Sequence, residues 1–191
     1  MSDDEDRVIA SLFDERGALC DPMLASTHPA EGAFVVFGQR ADSAIDEAAA
    51  RSNARRFFGA DLTLGPDREP ATSHPEVDAR WLRLTSDDPT ASGRRVVYVR
   101  PAAPADHARA EDAEATAARE GQRAGGLSDL ARRCPYAWLV LAPSDDDRVA
   151  LTLAAVLATV LLGPIVTPSG RRIFGVRGAR MALEAAPPGY R

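Results

Sequence analysis

Residues 80–100 read RWLRLTSDDPTASGRRVVYVR, which combines two β-like stretches with a polar connection. In the first stretch Leu82 and Leu84 flank Arg83, as in a half-buried strand, and the second stretch is rich in valine. The Asp, Pro, Ser and Gly residues between them are typical of turns. Because so short a connection favours antiparallel pairing, the segment predicts a β-hairpin.

Short apolar runs predict buried strands at residues 33–38 and 136–142, where β-branched and aromatic side chains lie between turn signals. Residues 65–77 contain three prolines and few apolar side chains, which predicts a loop. Residues 165–167 and 171–176 flank a Pro-Ser-Gly turn, so we expect a closing hairpin there.

Helical periodicity and capping residues predict two helices between these strands. Residues 42–58 have an apolar face, Ser43 and Asp46 at capping-box spacing, and Gly59 just past their end. Residues 104–123 are rich in alanine and charged on every side. This pattern predicts an exposed helix that is stabilised by helix propensity more than by burial.

The most apolar helix is predicted at residues 149–162, directly after Asp145, Asp146 and Asp147. These carboxylates can cap the helix or chelate a hard cation, and capping is the simpler interpretation because no calcium-loop spacing surrounds them. The uncharged run at 149–166 approaches the length of a membrane span. The acidic cap and the Gly-Pro turn at the helix end favour a buried core helix instead.

The central elements follow the order strand, helix, strand, strand, helix, strand, which matches the split β-α-β layout called ferredoxin-like. We therefore predict a single α+β domain over residues 1–191. It comprises an N-terminal helix and loop at 1–32, the β-α-β-β-α-β core at 33–142, and an added C-terminal helix, β-hairpin and tail at 143–191. A three-layer α/β fold with a mostly parallel sheet stays open, because the last core strands alternate with helices.

The composition is that of an ordinary globular protein, with 191 residues, 45% hydrophobic residues and a net charge of −5. All 23 basic residues are arginine, which indicates a GC-rich bacterial genome rather than a mechanism. A sequence pI of about 5.2 and the absence of an RNP pattern argue against a nucleic-acid partner.

The start of the chain predicts a short docking helix. Residues 3–6 are all acidic, and Val8, Ile9, Leu12 and Phe13 follow as a helical stripe. A secretory signal needs a basic stretch followed by an apolar run, so this start predicts a soluble cytoplasmic protein.

Three histidines are the candidate residues for a metal or small-molecule site. His28 and His74 lie in similar segments, each followed by proline and then by an apolar β run. Their imidazoles can approach one ion at neighbouring strand starts, with His107 as a third ligand. The segments are more simply explained as loop-to-strand entries, because residues before proline favour extended backbone. Cys20 and Cys134 lack metal-site spacing and are expected to be free thiols.

Two strand ends, residues 38–40 and 175–178, are weak candidates for phosphate binding through backbone N–H groups. Neither carries a Walker or Gly-x-Gly-x-x-Gly pattern. No pattern marks a nucleophile with its base either, although catalytic groups can converge from distant loops. We therefore assign no catalytic residue, no metal and no cofactor from the sequence.

These observations favour a non-catalytic protein-interaction or regulatory domain. We expect a protein partner rather than nucleic acid or a membrane, and a homo-oligomer stays open. The polar helix at 104–123 is the expected interface, with Glu111, Glu114 and Arg119 as the residues to test. The alternative is a small-molecule enzyme or ligand-binding protein with its site in loops near His28 and His74.

Overall fold

A computed structural model describes residues 32–40, 44–66, 78–121 and 125–185. The strands are β1 (Ala33–Gly38), β2 (Ala60–Pro66), β3 (Asp78–Ser86), β4 (Gly93–Pro101), β5 (Tyr136–Leu141), β6 (Ile165–Val166) and β7 (Ile173–Phe174). The helices are α1 (Glu47–Phe58), α2 (Pro104–Arg119), α3 (Leu127–Arg132), α4 (Arg148–Leu161) and α5 (Val176–Ala185). The expected docking helix near the start of the chain lies outside the described residues.

The strands form one open antiparallel sheet in the order β2-β3-β4-β5-β1-β6-β7. The predicted hairpin is confirmed as β3 and β4, joined by a 3-10 turn at Pro89–Ala91, and the closing hairpin as β6 and β7. β1 is antiparallel to both β5 and β6, so β5 and β6 run in the same direction on either side of it. With α4 as their connection, they form a split β-α-β unit around β1.

The predicted α+β class is confirmed, but the ferredoxin-like order of the core strands is not. In that order the first core strand would lie between the third and the fourth, whereas β5 lies directly beside β4. The physical reason is that α2 and α3 return the chain to the neighbouring position, where β5 pairs antiparallel with β4. β2 was also missed, because its end at Gly65 and Pro66 has the composition of a loop.

The first face of the sheet packs against α1, α4 and α5. α4 is the predicted core helix, and every residue from Val149 to Ala158 is buried. Its 14 residues span about 21 Å. Among the described residues no helix is long and apolar enough to cross a membrane.

The second face of the sheet packs against α2 and α3, so the helices form layers on both sides as in the three-layer alternative. The sheet between them is antiparallel and not mostly parallel, since every pairing of neighbouring strands is antiparallel.

α2 is less exposed than its sequence predicts. Its alanines Ala110, Ala113 and Ala117 are buried in the second core, against residues such as Val35 and Leu139. An alanine face is not recognised by hydrophobic patterning because the methyl group is only weakly apolar. It nevertheless lets the helix backbone approach the sheet closely.

α1 begins at Glu47 and not at residue 42, because the Asp46 carboxylate is its N-terminal cap. That carboxylate accepts a hydrogen bond of 2.9 Å from the backbone N–H of Ala49. The predicted end is confirmed, since Gly59 adopts the left-handed conformation with a φ of 62°.

Candidate functional site

The second face of the sheet is only partly covered by α2 and α3. Within the described ranges, the core on this face takes no residue from β2 or β3. We call the remainder the open face, and its side chains are Thr63, Trp81, Arg83, Thr85, Arg94 and Val96. Trp81 and Val96 are half-buried, and the other four residues are exposed.

Trp81 is the largest side chain of the open face, and two neighbours fix its ring. A Cβ atom at Gly65 would lie only 2.4 Å from Cζ2 of Trp81, so the indole packs on the bare glycine backbone of β2. The Arg94 guanidinium lies 5.1 Å from the centre of the ring, which is cation–π distance. The indole is therefore positioned in advance while it stays partly exposed.

Two positive charges lie side by side on the open face. Arg83 of β3 is directly opposite Arg94 of β4. Like charges opposite one another in a sheet are destabilising. Asp61, the acidic residue of β2, forms a salt bridge with Arg55 of α1. The open face therefore presents two exposed guanidinium groups in one cross-strand pair.

The sequence interpretation assigned no site to the residues of the open face. The signal was present, because Trp81 and Arg83 occupy the positions that alternate with buried Leu82 and Leu84. A tryptophan at an outward position of a strand is unusual unless something covers it. What the sequence does not reveal is which part of the second face the helices leave uncovered.

The candidate interface residues of α2 have partners inside the fold. Glu111 forms a salt bridge of 2.9 Å with Arg132 of α3, and Arg119 donates to the Thr116 hydroxyl. Glu114 accepts hydrogen bonds from the first residues of α3. Charge reversal at these positions would therefore disturb the packing of α3 as well as any interface.

Glu114 caps α3 from another helix. Its carboxylate accepts hydrogen bonds of 3.1 Å from the backbone N–H groups of Leu127 and Ser128, and a further one from the Ser128 hydroxyl. Burial raises the pKa of Glu114, but these hydrogen bonds lower it more, so the pKa lies below its ordinary value. The ionised carboxylate therefore stabilises the folded chain.

Glu114→Gln is expected to lower the free energy of unfolding by about 1 kcal/mol at pH 7, the usual effect of losing a helix cap. A lowered folded-state pKa stabilises the fold above the unfolded-state pKa, near 4.5. That stabilisation is lost as the pH falls through the folded-state pKa. Urea unfolding should therefore show the difference between wild type and variant shrinking below pH 4.5. Asp112→Asn, at an exposed position of α2, is the control, and equal effects of the two variants would contradict the prediction.

The predicted histidine site stays a prediction, because His28 and His74 lie outside the described residues. His107 lies on α2, with its ring stacked 5.8 Å from that of Phe37 in β1. Its Nε2 atom is buried without a hydrogen-bond partner in the described structure. This packing explains His107 as part of the second layer, and it identifies no ligand.

The three aspartates before α4 do not converge on one point. Asp147 caps the helix through the backbone N–H of Ala150. It also forms a bidentate pair with Arg95, whose Nε and Nη2 atoms donate to Oδ2 and Oδ1 at 2.9 Å each. Asp145 accepts hydrogen bonds of 2.8 and 2.6 Å from the backbone N–H and hydroxyl of Ser169. In the part of the chain that the structure describes, no group of His, Cys, Asp or Glu side chains could hold a metal ion.

The strand end at residues 38–40 lies beside the C-terminal end of α4. The backbone N–H of Gln39 donates to the Leu161 carbonyl at 3.0 Å. The C-terminal end of a helix is the negative end of its dipole, so this position disfavours phosphate. Residues 175–178 follow β7 directly, and residues 176–178 form the first turn of α5.

Cys134 is buried and its thiol donates to the Leu130 carbonyl. Burial raises its pKa to about 11, so the thiol is protonated at neutral pH. A nucleophilic cysteine needs a thiolate, and Cys134 is therefore a structural residue.

One charged pair is buried beneath α2. The Arg100 guanidinium binds both carboxylate oxygens of Asp106, at 2.6 and 2.9 Å, and Asp106 also accepts from the backbone N–H of Ala103. The Arg100 and Asp106 side chains are only 6% and 1% exposed. The pair joins the end of β4 to the start of α2, and its burial leaves no room for a substrate.

A cleft of about 370 Å³ lies where the ends of α1 and β3 meet α4 and α5. Phe57, Phe58 and Leu183 form its apolar wall, and Arg180 and Glu184 form a salt bridge of 2.8 Å at its rim. The lining contains two arginines and two acidic residues, so their charges balance and the cleft favours neither a cation nor an anion. It supports no assignment of a ligand.

Comparisons of the chain with protein families, with curated proteins and with solved structures found no match. The open face is the candidate site on physical grounds, because half-buried Trp81 lies beside the charges of Arg83 and Arg94. Tryptophan and arginine are among the residues most enriched at the energetic centres of protein interfaces.

Proposed function

We propose that the protein is a non-catalytic interaction domain that binds an acidic, partly apolar segment of a partner protein on the open face. The observation that carries this proposal is the position of Arg83 directly opposite Arg94, beside half-buried Trp81. A carboxylate of the partner would be attracted to the two guanidinium groups. Arginine also binds carboxylates in a bidentate geometry, which gives specificity.

The apolar part of the partner would contact Trp81 and Val96, which are directly opposite one another. An indole contributes a large contact area at low cost in side-chain entropy, and its N–H can donate to the partner. Apolar residues surrounded by charged ones are typical of non-obligate interfaces. We therefore expect an aromatic or aliphatic anchor flanked by Asp or Glu in the partner.

This proposal keeps the interaction function expected from the sequence but moves the interface from α2 to the sheet. Glu111 and Glu114, two of the α2 residues expected at the interface, bind α3. The exposed arginines of the open face lie beside an indole that its neighbours already position. We therefore propose the sheet surface, and not α2, as the interface.

Selection of random peptides displayed on phage against the immobilised full-length chain tests the proposal. We expect the selected peptides to be acidic and to contain an aromatic or aliphatic anchor. The double variant Arg83→Glu and Arg94→Glu should bind these peptides at least about tenfold more weakly, a loss of about 1.4 kcal/mol. Titration monitored by tryptophan fluorescence measures the affinity.

The matched control is Arg171→Glu and Arg177→Glu, which reverses two exposed charges near the opposite edge of the sheet. This variant should bind the peptides as tightly as the wild type. Urea unfolding of both variants checks that they are folded. Peptides without acidic residues, or equal binding to both variants, would refute the proposal.

A further inference from the structure

β2 is the outermost strand at the end of the sheet that carries the open face. Among the described residues it pairs only with β3, so no strand of the described structure lies along its other edge. An unpaired edge presents N–H and C=O groups that can pair with an additional strand. Domains that bind extended segments in this way gain affinity from backbone hydrogen bonds and specificity from alternate side chains.

The direction of the backbone groups along β2 follows from Ser86 in β3. Both the N–H and the C=O of Ser86 bond the Ser92 hydroxyl, at 2.9 and 3.0 Å, on the side of β4. Ser86 is opposite Ala60, so this pair is of the kind that exchanges no backbone hydrogen bonds. The register of β2 with β3 is uninterrupted, and the direction alternates along a strand. The N–H and C=O groups of Leu62 and Leu64 therefore point away from β3, to the outer edge.

The Trp81 indole extends to this edge because β2 has a glycine beneath it. A Cβ atom at Gly65 would lie 2.4 Å from Cζ2 and 2.9 Å from Nε1 of Trp81, so the nitrogen side of the ring lies over β2. In the part of the chain that the structure describes, the indole N–H has no acceptor. A side chain opposite Gly65 on an additional strand would therefore lie against the indole.

Arg83 provides a positive charge at the next position along the same face. It is exposed and lies opposite Thr63, two residues from Gly65. Within the described ranges its guanidinium forms no hydrogen bond or salt bridge. An additional strand would place a residue opposite Thr63 at two strand spacings from Arg83, about 10 Å between the backbones. An arginine and an acidic side chain together bridge this distance, so a carboxylate there would pair with Arg83.

We infer that the partner binds as an additional antiparallel strand along residues 62–65, with an apolar residue opposite Gly65 and an acidic residue two positions later, opposite Thr63. The inference rests on the proposed function and specifies how the partner is bound. The antiparallel direction continues the ladder between β2 and β3. Residues two apart in a strand lie on the same face, so both side chains of the partner would lie on the open face.

The spacing is tested with the full-length chain and the synthetic peptide acetyl-Thr-Thr-Phe-Val-Asp-Thr-Thr-amide. In the control peptide valine and aspartate are exchanged, which leaves the composition unchanged and moves the carboxylate to the other face of the strand. Titration monitored by tryptophan fluorescence measures both affinities. We expect the control peptide to bind at least about tenfold more weakly, because its carboxylate cannot reach Arg83.

Methylation of the peptide backbone tests the pairing itself. In the proposed register the valine lies opposite Leu64, and its N–H donates to the Leu64 carbonyl. N-methylation of this valine should weaken binding at least about tenfold, because it removes that hydrogen bond and adds a methyl group against β2. N-methylation of the aspartate is the matched control and should have little effect, because its N–H points away from β2.

Two measurements on the protein complete the test. Amide hydrogen exchange at Leu62 and Leu64 should slow when the peptide is added, whereas exchange at Thr63 should not change because its N–H already bonds β3. Arg83→Glu should bind the peptide at least about tenfold more weakly, and lysine in place of the peptide aspartate should restore the binding. Arg171→Glu, at an exposed position near the opposite edge of the sheet, should bind as the wild type does.

Equal affinities of the two peptides, or equal effects of the two methylations, would overturn the inference. Slow exchange at Leu62 and Leu64 that depends on protein concentration without peptide would also overturn it, because a second copy would then occupy the edge. Selected peptides that require Arg83 and Arg94 but carry anchor and acid three or four residues apart would reject strand addition alone. The proposed function would fail as well only if neither the selected peptides nor the synthetic peptide bound.

Discussion

Asp106→Ala is expected to lower the free energy of unfolding by about 3–5 kcal/mol, which is the usual cost of removing one partner of a buried ion pair. The Arg100 guanidinium would remain buried without the carboxylate that binds it at 2.6 and 2.9 Å. The backbone N–H of Ala103, at the start of α2, would lose its acceptor as well. Urea unfolding followed by circular dichroism measures the effect.

The control is Glu47→Ala, which removes an ion pair with Arg51 whose two side chains are about half exposed. Pairs of this kind contribute less than about 0.5 kcal/mol. The double variant Arg100→Met and Asp106→Leu should recover most of the stability, because a well-packed apolar pair can replace a buried ion pair. A loss of less than 1 kcal/mol in Asp106→Ala would show that water reaches Arg100 and that the pair is not truly buried.

Gly163→Ala is expected to destabilise the fold by about 3 kcal/mol or more, because a side chain there would overlap the backbone. A Cβ atom at Gly163 would lie 1.9 Å from the carbonyl oxygen of Phe37. That carbonyl belongs to β1, and the N–H of Phe37 donates to the Pro164 carbonyl at 3.0 Å. The clash can be relieved only by moving β1 away from the segment that follows α4.

Gly125→Ala is the matched control, because no heavy atom lies within 4 Å of a Cβ at that position and its φ is not positive. We expect a change of at most about 1 kcal/mol, toward higher stability, since alanine restricts the unfolded chain. Thermal unfolding of both variants makes the comparison. Similar stabilities would mean that the approach of Gly163 to Phe37 is looser than the structure indicates.

The features of the fold that depend on local sequence could be predicted. The β3–β4 hairpin, strands β1 and β5, and helix α4 all follow from hydrophobic spacing and turn residues. The order of the strands could not, because the pairing of β1 with β5 and β6 joins segments far apart in the chain. No local pattern distinguishes that pairing from a ferredoxin-like one.

The candidate site was harder to predict for a related reason. Charged residues of α2 such as Glu114 were prominent in the sequence, yet a carboxylate that caps a neighbouring helix looks the same there as one that faces solvent. Trp81 and Arg94 resembled ordinary strand residues. Their significance depends on where α2 and α3 end over the sheet, which is a property of packing and not of any short segment.

The position of β1 between β5 and β6 has a consequence for how the chain folds as it is synthesised. β1 leaves the ribosome before its partner strands β5 and β6, and all six of its residues are buried in the finished sheet. Its partners Leu141 and Val166 are translated much later, so until then β1 is an unpaired apolar segment that is exposed to solvent. Pairings of such long sequence separation also fold slowly. The nascent chain is therefore expected to depend on chaperones until β6 has emerged.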